Sequence, residues 1–171
     1  GGYKPDEYDS AMLMATAKDG TKIPVSLVWK KGLRKDVPQP LLLYGYGSYE
    51  LSMDPSFGIP RLSLLDRGIV FVIAHIRGGG ELGRHWYDTG KKLQKKNTFT
   101  DFIAATDWLA ESGWVDPARI AAMGGSAGGL LMGAVANLRP DLFHAIVAEV
   151  PFVDCLTTVL DDTLPLTVTE W

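Results

Sequence analysis

The chain has one cysteine, Cys155, three histidines and no long apolar run. A single cysteine excludes an intrachain disulfide and points to a reducing compartment, the cytoplasm. A helix that spans a bilayer needs roughly 18–20 apolar residues, and no stretch approaches that length, so no membrane partner is expected. The opening Gly1-Gly2-Tyr3-Lys4-Pro5-Asp6 has no apolar core and does not read as a signal peptide. Basic blocks are missing too. The net charge is −3 over 171 residues, and Lys91-Lys92 with Lys95-Lys96 form the only local positive run. That argues against nucleic acid as a main partner, and the lysines are expected to be a solvated face before a helix. Apolar residues make up 46% of the chain against 22% charged, which supports a packed core and excludes disorder.

Along the chain, residues 1–10 are polar and turn-rich and read as a linker. Met12 to Ala17 and Lys22 to Trp29 are predicted strands joined at Asp19-Gly20, a pair that tolerates positive φ in a hairpin. Pro24 cannot donate to a ladder, which places this hairpin at a sheet edge. Gly32 to Gln39 reads as a basic, proline-containing loop. The apolar runs Pro40–Tyr44, Ile69–Ala74 and Ala145–Pro151 suit strands buried on both faces. A short helix is expected from Leu62 to Asp66. Thr98-Phe99-Thr100-Asp101 has the spacing of a capping box. After it, Phe102, Ile103, Ala105, Trp108 and Leu109 recur at helical spacing up to Ser112-Gly113. Alternating strands and helices imply a mostly parallel sheet with helices on its faces.

One stretch carries chemistry. Arg119 to Met123 reads as a strand, Leu130 to Leu138 as a helix, and Gly124-Gly125-Ser126-Ala127-Gly128-Gly129 lies between them. Gly124, Ser126 and Gly128 fit Gly-x-Ser-x-Gly, in which a sharp strand-to-helix turn presents the serine at its tip. A side chain at 124 or 128 is expected to collide with neighbouring backbone. Free N–H groups at the helix start point to where an oxyanion would form. Ser126 is therefore the candidate nucleophile, and the Ala127 N–H one candidate oxyanion donor. A second donor must come from a loop at the same sheet edge, and Tyr44-Gly45-Tyr46-Gly47 is well placed. Either tyrosine hydroxyl can donate there; equally, both rings can pack under the loop.

Serine needs a base, usually a histidine held by a carboxylate. On this kind of turn the order along the chain is serine, acid, histidine. His75 and His85 precede Ser126, and His144 opens the next strand, at the opposite end of a parallel strand from the serine. Asp154, Asp161 and Asp162 follow that strand too closely. The acid and base are thus absent from these residues. Gly78-Gly79-Gly80-Glu81-Leu82-Gly83 literally fits Gly-x-Gly-x-x-Gly, but Arg84 to Asp88 has no apolar helical period and Glu81 would face a pyrophosphate. It is read as a flexible loop over the sheet's C-terminal edge, with no cofactor. His75 and His85 flank it without metal-ligand spacing, so no metal is expected.

Tyr44-Gly45-Tyr46-Gly47-Ser48-Tyr49, Arg77-Gly78-Gly79-Gly80-Glu81-Leu82-Gly83, Gly124 to Gly129, and Asn137-x-Arg139-Pro140-x-Leu142-Phe143 occur in one order. Together they resemble the prolyl oligopeptidase family of serine peptidases, within it the oligopeptidase B group, over nearly the whole chain. The resemblance implies an α/β-hydrolase catalytic domain over residues 11–171, truncated at its C-terminus. Residues 1–10 would then link it to a preceding β-propeller. It implies Ser126 as nucleophile, with Tyr46 and the Ala127 N–H as the oxyanion hole. The family's acid and histidine would lie beyond Trp171, leaving this fragment inactive alone. Where proline-selective members carry a tryptophan in a His-Ala-Trp-like segment, this chain has Leu166-Thr167. Glu170 falls on the first of two glutamates that neutralise substrate Arg or Lys in the oligopeptidase B group, a strong and directional pairing. Asp54 matches one acid of a pair that reads the neighbouring substrate residue, and Ser56 replaces the other. The implied activity is hydrolysis of short peptides after Arg or Lys through an acyl-enzyme. Prolyl oligopeptidase, esterase or aminopeptidase activity on the same fold, and a binding-only fragment, are the rivals.

Overall fold

A computed structural model describes residues 2–32 and 37–171. Gly1 of the expected linker and residues 33–36 of the expected basic loop lie outside them. Among the described residues six strands form one sheet in the order β1-β2-β4-β3-β5-β6. They are β1 (Tyr8–Thr16), β2 (Lys22–Lys30), β3 (Gln39–Tyr44), β4 (Val70–Ala74), β5 (Val115–Gly125) and β6 (Ala145–Glu149). β1 and β2 form the antiparallel hairpin, β2 pairs antiparallel with β4, and β3, β4, β5 and β6 run parallel.

β3 shows why the apolar runs become central strands. Leu41 and Leu43 face one side and join a core with Val70, Val72, Phe102, Leu109, Leu131 and Val135. Leu42 and Tyr44 face the other side and join Leu65, Phe71 and Ile73. The first core lies under the helices α3 (Lys96–Glu111) and α4 (Ala127–Leu138), the second under α1 (Ile59–Leu65). Period-2 alternation with both sets apolar needs a cover on each face, which the helices supply. In α3 the buried residues Phe102, Ala105, Thr106 and Leu109 follow the 3.6-residue repeat. Phe102 is completely buried, and such a side chain contributes about 3–5 kcal/mol against truncation to alanine.

Several expectations change. β1 begins at Tyr8, so the last three residues of the expected linker are strand. The hairpin does sit at the sheet edge, but Pro24 lies on its inner strand, just past the end of the β2–β4 ladder. There its missing N–H costs nothing, and its carbonyl accepts from the His75 N–H at 2.9 Å. Thr98 is no cap: it lies inside α3, and its hydroxyl donates to the Arg77 carbonyl at 2.7 Å. Asp101 instead receives the Arg77 guanidinium at 2.8 and 2.6 Å and the Arg77 N–H at 3.0 Å. The presumed cap residues thus tie α3 to the exit of β4. β6 is not buried: Val147 is 45% exposed, and no strand pairs with its outer edge among the described residues. Among the described residues no helix is long and apolar enough to cross a membrane.

Candidate active site

β5 ends at Gly125 and α4 begins at Ala127, leaving Ser126 alone at the turn with φ +55° and ψ −114°. That backbone is costly for any residue with a Cβ, on the order of 1–3 kcal/mol. Backbone hydrogen bonds hold it, one of them from the Leu130 N–H to the Ser126 carbonyl at 3.2 Å. The Ser126 N–H donates to the Glu149 carbonyl at 2.9 Å, while its own carbonyl accepts from Gly129 at 2.9 Å and Phe152 at 3.0 Å. The side chain remains exposed. The two motif glycines are required sterically. A Cβ on Gly124 would lie 2.3 Å from the Gly128 carbonyl oxygen, and one on Gly128 would lie 2.7 Å from that of Gly45.

The strand order brings Tyr46 to the serine, because β3 lies beside β5 and both end at the same edge. The Tyr46 ring packs on the first turn of α4, its Cδ2 3.6 Å from where a Gly128 Cβ would sit. Burial first, then the neighbouring Tyr49, Tyr44 and Glu170, push the Tyr46 phenol pKa up. It therefore stays a protonated donor at neutral pH. Tyr44 goes elsewhere, into the core under α1. Of the two tyrosines, only Tyr46 lies at the head of α4.

None of the three histidines is hydrogen-bonded to Ser126. His75 is buried, its Nε2 2.6 Å from Ser26 Oγ and its Nδ1 3.0 Å from Glu81 Oε2. His85 is exposed in α2 (Arg84–Asp88), and the exposed His144 gives its N–H to Ile120 in the middle of β5, before the strand reaches the serine turn. Among the described residues no cluster of His, Cys, Asp and Glu could hold a metal ion.

The glycine-rich loop is not a loose cover. Gly78 has φ +101°, and a Cβ there would meet the Gly47 carbonyl oxygen at 2.0 Å. Its own carbonyl accepts from Glu50 N–H at 3.2 Å, so the loop is wedged under the tyrosine turn. A helix does open after it, contrary to the sequence reading, but α2 has five residues and Glu81 turns inward to His75.

Glu170 is fully buried. Its carboxylate accepts from the Tyr49 N–H at 2.9 Å and the Tyr87 hydroxyl at 2.7 Å. Burial, then this bond, push the Tyr87 pKa up to about 12. Asp54 is exposed on the loop after the tyrosine turn. Neither acid is hydrogen-bonded to Ser126 or Tyr46. In the lysine cluster Lys92 and Lys96 are exposed, Lys91 pairs with Asp88 at 3.0 Å over the Tyr87 ring, and the fourth member is Lys95. That ammonium turns inward, donating to the Gly47 carbonyl and the Ser48 hydroxyl at 2.6 Å each, and lies 4.9 Å from the Trp171 ring centre. Desolvation pushes its pKa down to about 8. Nothing local separates Lys95 from Lys91, Lys92 or Lys96, because its partners lie 47 and 48 positions upstream.

The family model described as "Prolyl oligopeptidase family" matches residues 55–171. The chain belongs to the prolyl oligopeptidase family. Its catalytic domain is an α/β-hydrolase fold, and the sheet described above is part of one. Oligopeptidase B from Leishmania major superposes with a TM-score of 0.95 at 55% identity, covering 100% of this chain and 24% of that one. Dipeptidyl aminopeptidase BI of Pseudoxanthomonas mexicana is 56% identical over 99% of this chain and 24% of its own length. Protease 2 of Moraxella lacunata is 52% identical over 100% and 25%. The chain thus spans about a quarter of the length of these prolyl oligopeptidase relatives.

Proposed function

We propose that this chain is the nucleophile-bearing part of a serine oligopeptidase that cleaves short peptides after Arg or Lys. The observation that carries the reading is the exposed Ser126 at positive φ, with Tyr46 packed on the same turn of α4. Ser126 Oγ attacks the scissile carbonyl carbon while a histidine outside these residues takes its proton. The resulting oxyanion accepts hydrogen bonds from the Ala127 N–H and the Tyr46 hydroxyl. Collapse expels the amine and leaves an acyl-enzyme, which water then hydrolyses. In this reading residues 1–10 lead in from a preceding domain, and later strands cover the exposed face of β6.

Basic selectivity is supported by Glu170. Its carboxylate takes only neutral donors and has no ion-pair partner among the described residues. The Lys95 ammonium interacts with it without forming an ion pair, and a buried carboxylate compensated only in part favours a guanidinium or ammonium at its rim. A substrate side chain would reach it by displacing one of those donors. Asp54, exposed and without an ion-pair partner among the described residues, is assigned to the neighbouring basic residue. The single cysteine supports a cytoplasmic setting. A second reading, removal of dipeptides from an N-terminus, is favoured by the similarity to a dipeptidyl aminopeptidase.

The test uses the full-length protein. A fluorophosphonate should label Ser126, and a blocked arginine amide should be turned over faster than a proline amide or a nitrophenyl ester. Equal turnover of the proline amide sinks the basic selectivity. A preference for unblocked dipeptidyl amides would favour the second reading. No labelling of Ser126 would remove the peptidase assignment. The isolated 171 residues should label weakly, because the base is not among them.

A further inference from the structure

The turn that carries Tyr46 is strained. Gly47 has φ +72°, and the two residues after Ser48, Tyr49 and Glu50, have φ +57° and +58°. Consecutive side-chain-bearing residues in the left-handed region do not persist without outside support. On one side Glu170 accepts the Tyr49 N–H, and Trp171 Nε1 donates to the Tyr49 hydroxyl at 3.0 Å. From below, Gly78 fills the space under Gly47. On the remaining side stands Lys95, with its two 2.6 Å bonds to the Gly47 carbonyl and the Ser48 hydroxyl.

We propose that Lys95 is a positioning residue for oxyanion stabilisation: its ammonium fixes the Gly47–Ser48 backbone and thereby holds the Tyr46 hydroxyl at the head of α4. The proposal rests on the reading of Tyr46 as an oxyanion donor. The Gly47 carbonyl belongs to the Gly47–Ser48 peptide plane, one plane beyond Tyr46, so losing the lysine leaves it, among the described residues, only the Thr98 hydroxyl at 3.4 Å and loosens the turn next to the tyrosine. Ser48 is fully buried, so its hydroxyl has no bulk water to turn to if the lysine is removed. Lys95 is itself anchored just before α3, where its N–H donates to Lys92 at 2.9 Å and its carbonyl accepts from Thr98 at 3.0 Å. The charge is also unfavourable for folding. Desolvation lowers the Lys95 pKa, with Glu170 only partly compensating, and this offsets the two bonds it donates, so the net contribution of the lysine to folding is small. What the lysine adds is the pair of donors to the turn.

The experiment compares wild type, Lys95→Met, Tyr46→Phe and the double variant in the full-length protein, with a blocked arginine amide as substrate. Lys95→Met should lower kcat about tenfold, a fraction of the effect of losing an oxyanion donor outright. KM should stay within about twofold, and the thermal midpoint should move by no more than about 4 °C, because the lost desolvation cost and the lost bonds oppose each other. In the Tyr46→Phe background, Lys95→Met should cost nothing further, because the group it positions is gone. Lys95→Gln, which keeps an uncharged donor, should recover part of the loss and serves if the methionine variant folds poorly. An unchanged kcat in Lys95→Met, the same loss with and without Tyr46, or a loss that tracks a lowered midpoint would each overturn the proposal. If Tyr46→Phe alone leaves kcat unchanged, the reading of Tyr46 falls, and the role of Lys95 falls with it.

Discussion

The carbonyl oxygen of Gly45 sits 2.7 Å from where a Cβ on Gly128 would be. This contact joins the two halves of the candidate oxyanion hole, since Gly45 precedes Tyr46 and Gly128 follows Ala127. The turn after β3 and the first turn of α4 are packed backbone to backbone, with no room for a side chain between them.

Gly128→Ala should separate these two turns. The added methyl meets backbone atoms, which cannot swing away as a side-chain tip can. The expected cost is about 1–3 kcal/mol, or roughly 2–4 °C per kcal/mol in a domain of this size class. The rate of Ser126 labelling by a fluorophosphonate should fall more than the stability does. A variant with normal melting and normal labelling would contradict the contact.

Ser126→Gly should stabilise the protein while abolishing hydrolysis. Glycine takes φ +55° without the Cβ penalty, though it adds freedom to the unfolded chain, so the net gain is about 1 kcal/mol. Ser126→Ala keeps the Cβ and should show no such gain. Thermal melts of the two variants side by side check this.

Asp101→Ala should be the most damaging single change near the site. Its carboxylate is 1% exposed and holds both the Arg77 guanidinium and the Arg77 N–H. Removing one partner of a buried pair leaves an uncompensated charge, at about 3–5 kcal/mol. Arg77 opens the glycine loop that supports the tyrosine turn, so activity should fall together with the melting temperature.

Lys95 gives a stability term with a defined sign. Its pKa is about 8 in the folded protein and about 10.4 in an unfolded chain. Between these values the unfolded state holds more protons, so stability from this group rises with pH. The penalty is fully present below about pH 8, on the order of 3 kcal/mol, and fades towards pH 10. The difference in unfolding free energy between wild type and Lys95→Met should therefore shift in favour of wild type from pH 7.5 to 9.5. Tyr87, held up at about 12, acts in the opposite sense only above about pH 10, where the unfolded tyrosine ionises. A pH-independent difference would contradict the buried ammonium.

Local order in the sequence determined the central strands, the long helices and the serine turn. The β-branched run Ile69–Ala74, the helical repeat from Phe102 to Leu109 and the glycines around Ser126 each express a rule that acts within a few residues. For the same reason the lysine cluster misled. Lys95 has the same local surroundings as its neighbours, and only the packing of α3 under the tyrosine turn takes it out of solvent. Thr98 misled likewise, since its capping spacing is real but its partner is a carbonyl 21 positions upstream. The apolar run of β6 reads as buried because apolarity reports what a strand can cover, not whether a neighbouring strand is there to cover it. Residue order made Ser126 a nucleophile candidate and left Tyr44 and Tyr46 equal. The tertiary structure separated them, because β3 lies beside β5 in the sheet and sends Tyr44 under α1 but Tyr46 onto α4. It also enclosed Glu170 between Tyr49 and Tyr87, 121 and 83 positions away. A hydrogen bond across such distances depends on which strands are neighbours, and that is fixed by burying both faces of the sheet at once.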